Sequence, residues 1–216
     1  MAITRLGGAN AITGTIPQGN IANASLGAVT ALPAAIDVGA MVKLQSTTIS
    51  SSTASVSWNS TYITSTYDVY KIFVTNAIPA ADAKDFQVGL STDNLSNIGN
   101  IDQRTSGQRM IINDATTQVT TTADFDQAHA DYTHVSDDVG TNTGESFNAE
   151  FTFYQPSGSS YKYWTMVGAN GHANDYSGFY CVGSQIMTTS AVNAIQMKFQ
   201  ATNIASGIFT LYGVNN

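Results

Sequence analysis

This sequence predicts an all-β fold: an antiparallel two-sheet β-sandwich of jelly-roll-like form, preceded by an extended N-terminal arm. Three observations predict it. Strong helix formers are scarce, with 7 Leu, 5 Lys and 2 Glu in 216 residues, whereas Ser and Thr together number 48. Apolar residues recur at period two along many short stretches, and no run shows the i, i+3, i+4, i+7 spacing of a long amphipathic helix. The 10 Tyr, 9 Phe and 2 Trp all lie at Trp58 or later, which assigns the packed core to the chain after about residue 40.

The arm, residues 1–40, has no aromatic residue, a single base at Arg5, its first acid at Asp37, and six glycines with Pro17 and Pro33. Such a stretch buries too little apolar area to offset its own ordering entropy, so it is expected to gain order from copies of the same chain or from a docking partner, with an arm folded back on its own domain as the other reading. The apolar positions offered for that contact are Ile3, Leu6, Ile12, Ile16, Ile21, Leu26 and Leu32. Pro33 is placed to open one short helical turn over Ala34 to Ile36.

Residues 41–216 carry the sandwich. Val56 and Trp58 alternate with Ser55, Ser57 and Asn59; Tyr70, Ile72 and Val74 with Lys71, Phe73 and Thr75; Phe86, Val88 and Leu90 with Gln87, Gly89 and Ser91. Further strands are read at Phe147–Phe153, Tyr161–Val167, Ile195–Phe199 and Ile208–Tyr212, with weaker ones at Met41–Ser46, Arg109–Asn113 and Phe179–Ile186. About ten short strands between Gly, Asn, Ser and Pro clusters close most naturally as two sheets face to face.

Composition narrows function. With 8 basic against 15 acidic residues and a net charge of -7, the chain has no footprint for gripping phosphate backbones, so nucleic acid is not an expected partner. A single cysteine, Cys181, makes no intrachain disulfide and no multi-cysteine zinc site; between Tyr180 and Val182 it reads as a buried, inert thiol. The apolar stretch from Ala28 to Val42 is interrupted by Pro33 and Asp37, which argues against membrane insertion. No export signal follows Arg5, so synthesis and assembly in a cytoplasm are expected.

Catalytic signatures fail on their details. Gly144-Glu145-Ser146-Phe147-Asn148 lacks the second glycine of a nucleophile elbow, and Gly168-Ala169-Asn170-Gly171 lacks the Lys-Ser/Thr of a phosphate loop. An enzyme is therefore not expected. His129 and His134, five apart, would face opposite sides of one strand. The stretch from 114 to 150 holds eight acids and no Lys or Arg. There Asp124, Asp126, Asp137 and Asp138 offer hard oxygen ligands for Ca²⁺, with a solvated acidic loop as the other reading; no other cofactor is expected. Two segments are candidate surface-recognition loops: 121–144, carrying Tyr132 and His134, and 168–178, carrying His172, Asp175 and Tyr176. Aromatic rings beside carboxylates and carboxamides suit contact with a sugar.

Two stretches carry a family resemblance. The opening Met1-Ala2-Ile3-Thr4-Arg5-Leu6-Gly7-Gly8-Ala9-Asn10, continuing to Leu32-Pro33-Ala34-Ala35-Ile36, resembles the N-terminal segments of tail-fibre-like virion proteins of tailed bacteriophages, marine and cyanobacterial ones in particular. The ending, Ile195-Gln196-Met197-Lys198-Phe199 and then Ser206 to Val214, is similar to the last strands of the sandwich that closes such appendages, and Asp68 to Val74 to an early one. The resemblance implies a homotrimeric, non-enzymatic virion component. Its arm would bind other virion proteins, and its sandwich would face outward toward a host glycan or protein receptor. The chain lacks the coiled-coil or β-helical shaft of long fibres, so a capsid decoration protein that stabilises the head is the alternative. A carbohydrate-binding module acting alone is a further one.

Overall fold

The structure, a computed structural model, describes residues 41–113, 123–124 and 127–214. The arm, its seven apolar positions and the turn at Pro33 lie outside the described residues.

Thirteen strands, all paired antiparallel, form two sheets: β1 (Met41–Ile49), β2 (Val56–Trp58), β3 (Val69–Pro79), β4 (Phe86–Ser91), β5 (Gln103–Asn113), β6 (Ala123–Asp124), β7 (Gln127–Ala130), β8 (Tyr132–His134), β9 (Phe147–Tyr154), β10 (Lys162–His172), β11 (Tyr176–Ile186), β12 (Ala194–Phe199) and β13 (Ile204–Val214). The nine-stranded sheet runs β1-β13-β3-β9-β10-β11-β5-β6, with β7 also on β5; the four-stranded sheet runs β2-β12-β4-β8. The fold is the expected all-β sandwich. No helix among the described residues is long and apolar enough to cross a membrane.

Period two does the folding work. Along β10, Lys162, Trp164, Met166, Gly168, Asn170 and His172 turn inward while the residues between them turn out. From the small sheet Val56, Trp58, Phe86, Val88, Leu90, Ile195, Met197 and Phe199 point back at it, all buried. Phe86 shows how the layers meet: its ring stacks on Phe147 of β9 at 4.6 Å, stands edge-on to Phe199 of its own sheet at 5.1 Å, and lies 6.3 Å from Phe209 of β13. Trp164 packs 6.1 Å from both Phe151 and Phe153, and its indole N–H, which burial would otherwise leave unbonded, donates to Gln103 Oε1 at 2.9 Å.

The chain changes sheet repeatedly, from β1 through β2, β3 and β4 to β5, then from β7 through β8 to β9, and from β11 through β12 to β13. Neither sheet is built from one contiguous piece, so neither forms without the other. Lys162 is one of the inward positions that break the apolar pattern. Lys162 is buried, and its ammonium donates to the carbonyls of Ser160, Thr188 and Ser190 at 2.9, 2.9 and 2.8 Å. Three carbonyls replace its hydration shell and fasten the β9–β10 and β11–β12 connections together. Desolvation lowers its pKa.

Several expectations are corrected here. The glycine-rich segment 168–178 is not a loop: strand continues to His172, resumes at Tyr176, and leaves a three-residue turn. The segment 121–144 is likewise no single long loop, because it contains β6, β7 and β8. His129 and His134 do not share a strand; β7 pairs with β5 of the large sheet, and β8 with β4 of the small one. Cys181 is exposed, not buried: inward Tyr180 and Val182 on either side force it outward by the same alternation.

Candidate functional site

The residues singled out for recognition fall in two places. Tyr132 and His134 stand on the outward face of the four-stranded sheet. His172, Asp175 and Tyr176 lie at the β10–β11 turn.

On the small sheet the register lines up Ser57, Gln196, Gly89 and Tyr132 in one cross-strand row, and Lys198, Gln87 and His134 in the next. Gly89 is the enabling residue. A Cβ there would lie 2.5 Å from a ring carbon of Tyr132 and 2.6 Å from Ile98, so the missing side chain is what lets the ring lie across β4. The Tyr132 hydroxyl thereby reaches past β4 to donate to Gln196 Oε1 at 2.7 Å, and Gln196 Nε2 donates on to Ser57 Oγ at 3.0 Å. Lys198 Nζ sits over the Tyr132 ring, 3.9 Å from its centroid. A ring face that would receive a sugar is therefore held by an ammonium group. Desolvation, with Asp131 next in effect, raises the phenol pKa.

His134 is fixed from both ends. Gln87 Nε2 donates to its Nε2 at 2.7 Å, which leaves the proton on Nδ1, 2.8 Å from Asp85 Oδ2. The other Asp85 oxygen accepts the Asp138 N–H at 2.9 Å. Burial pushes the Asp85 carboxyl up, but the bonds it accepts from His134 and Asp138 outweigh it and hold the pKa below the usual 3.8.

At the other place His172 is buried rather than presented to solvent, and its ring lies 5.2 Å from that of Tyr176, its cross-strand partner. Asp175, at φ 58°, is a residue of the turn. Asn170 Nδ2 donates to the Asp137 carbonyl at 2.7 Å, the Tyr180 hydroxyl donates to Asn170 Oδ1 at 3.0 Å, and Asp137 pairs with Arg109. Burial above all, against the opposing charge of Arg109, pushes the Tyr180 phenol well above its ordinary pKa.

Asp137, Asp138 and His172 bring ligand-type atoms within 4.8 Å of one another. The donor set does not suit a metal. His172 Nδ1 accepts the Asn174 N–H at 3.1 Å, so the proton of the neutral ring sits on Nε2, the nitrogen that faces Asp137 and Asp138 at 3.8 and 3.7 Å. A metal needs a lone pair at that atom. Of the four carboxylates read as Ca²⁺ ligands, Asp137 and Asp138 meet here, Asp124 lies in β6 opposite Gln108, and Asp126 is outside the described residues.

Sequence reasoning passed over Gly89, Gln196, Lys198, Gln87 and Asp85. Alternation with buried Ile195, Met197 and Phe199 already marked Gln196 and Lys198 as outward, but it cannot show that β8 arrives beside them. No protein-family model matches the chain, and no curated protein or solved structure matches it either.

Proposed function

We propose that this chain is a structural component of a tailed-phage virion: a homotrimeric appendage whose residues 1–40 attach it to other virion proteins and whose sandwich faces the host surface. One observation carries the reading. Of the segments that resemble appendage proteins, those within the described residues fall on strands that are neighbours or share the sandwich core, β13 beside β3 in the large sheet and β12 between β2 and β4 in the small one. Their proximity supports the reading. The chemistry of the polar residues supports a non-catalytic role. Asp85, His134, Asp137 and His172 are engaged in bonds that fix strands, turns and connections in place, an arrangement that serves structure.

Deletion of residues 1–40 tests the attachment role. The truncated protein is expected to stay folded and soluble and to be missing from purified particles. Incorporation at the level of the full chain would refute attachment, and labelled antibody on particles carrying the full chain separates a tail position from decoration of the head.

A further inference from the structure

The outward side of the nine-stranded sheet is apolar to a degree that the described residues do not account for. Of the nine large apolar side chains left exposed among the described residues, eight stand at outward positions of this sheet, and the ninth, Tyr161, directly precedes β10. Val167 is 51% exposed, Tyr163 52%, Phe179 40% and Met110 41%. The register makes them neighbours: Phe179 pairs with Met110, and Tyr163 with Tyr154. Isolated exposed apolar residues are ordinary; a contiguous set on one flat face marks an interaction surface.

We propose that this face binds a second copy of the same chain. Size, charge and shape each favour that occupant. Six neighbouring strands (β13, β3, β9, β10, β11 and β5), at about 4.8 Å spacing and about 3.3 Å per residue, outline a face on the order of 800 Å². That is roughly the area each partner gives to a stable interface. The outward charges on those six strands are Lys71, which pairs with Glu150, and Arg104, a balance of +1 within a chain of -7. Two copies repel through most orientations and approach through this one. A trough of small outward residues, Thr152, Thr165, Gly183 and Ser106, runs between the ridge of Tyr154 and Tyr163 and the ridge of Val167 and Phe179. A Cβ at Gly183 would meet nothing within 4 Å, so the trough is open there, while its Thr152 end is buried. A ridge of one copy seated in the trough of the next is a contact that identical chains can repeat, across a twofold axis or around a closed ring such as a trimer.

The inference shares with the proposed function the premise that copies associate, and the two fail separately. Cys181, the single cysteine, lies exposed in the middle of the face beside Val167 and serves as a native reporter. The full-length protein is measured by light scattering and by the rate at which a maleimide labels its thiol, alongside the double variant Val167→Glu, Phe179→Glu. The expected result is an oligomeric wild type labelled about tenfold more slowly than a monomeric double variant with the same circular dichroism. A monomeric wild type labelled at the variant's rate overturns the inference. So does an oligomer that labels freely and survives the double substitution, which would move association elsewhere. A monomer with a protected thiol overturns it too, because the face would then be covered by the chain's own first 40 residues. Loss of particle incorporation by a chain that remains oligomeric would count against the attachment role alone.

Discussion

The two outward faces of this sandwich solve the same problem in opposite ways. On the four-stranded sheet, Ser57, Gln196, Tyr132 and Lys198 bond or stack with one another, and Gln87, His134 and Asp85 form a second chain of contacts beside them. On the nine-stranded sheet the corresponding positions hold Tyr163, Val167, Phe179 and Met110, with the Lys71–Glu150 pair set among them. Among the described residues, one face is complete in itself and the other carries apolar side chains that remain exposed. The difference teaches that exposure alone does not identify a recognition surface. Tyr132, one of the two tyrosines read as a ligand contact, is already engaged, while residues that read as plain strand are the ones left exposed.

The sharpest way to probe this contrast is one substitution made on both faces. Gly89→Ala puts a methyl group into the Tyr132 ring, forces the ring off β4 and breaks its reach to Gln196, at an expected cost of about 1–3 kcal/mol. Gly183→Ala adds its methyl group to open space on the large sheet and restricts the unfolded chain, so a gain of up to about 1 kcal/mol is expected. Urea unfolding of both variants at a common slope measures the pair; equal effects would erase the distinction between the faces.

A smaller effect is expected from Tyr132→Phe. It keeps the ring beneath Lys198 but removes the hydroxyl that binds Gln196, at about 0.5–1.5 kcal/mol. No change in the unfolding midpoint would mean that the polar row contributes nothing to holding β8 on the small sheet.

The smallest effect concerns pH. Because the Asp85 carboxyl titrates below 3.8 when folded, its contribution is present above that value and is lost as pH falls through the folded-state pKa. Asp85→Asn is therefore expected to be less stable than wild type at neutral pH and to show a shallower loss of stability below pH 3.8. Parallel acid titrations of the two proteins would contradict the assigned role.

Much of the layering was legible because period two is a local property. The inward sets at Tyr70, Ile72 and Val74, at Phe86, Val88 and Leu90, and at Ile195, Met197 and Phe199 follow from side chains alternating across a pleat. Glycine misled where it serves packing instead of turning. Segment 168–178 reads as a loop, yet a Cβ at Gly178 would meet Asn170 Oδ1 at 2.4 Å and the Tyr180 hydroxyl at 2.7 Å, and one at Gly168 would meet Ala149 at 2.8 Å. These glycines clear space inside a sheet for larger neighbours. What no local pattern supplies is which strands become neighbours. Tyr132 meets Gln196 across 64 residues of chain and Trp164 meets Gln103 across 61, so both sites exist only once the sheets have assembled.

The two ends of the folded region meet. Met41, which opens β1, is the register partner of Val214, which closes β13. Topologically the sandwich is therefore almost a loop of chain with a nick at one corner. A short linker could seal that nick while a new opening is cut at a distant turn, and each strand would keep its neighbours. The same geometry means that anything fused after residue 214 starts beside the first residue of β1, so internal turns are the places to carry a probe at a distance from that corner.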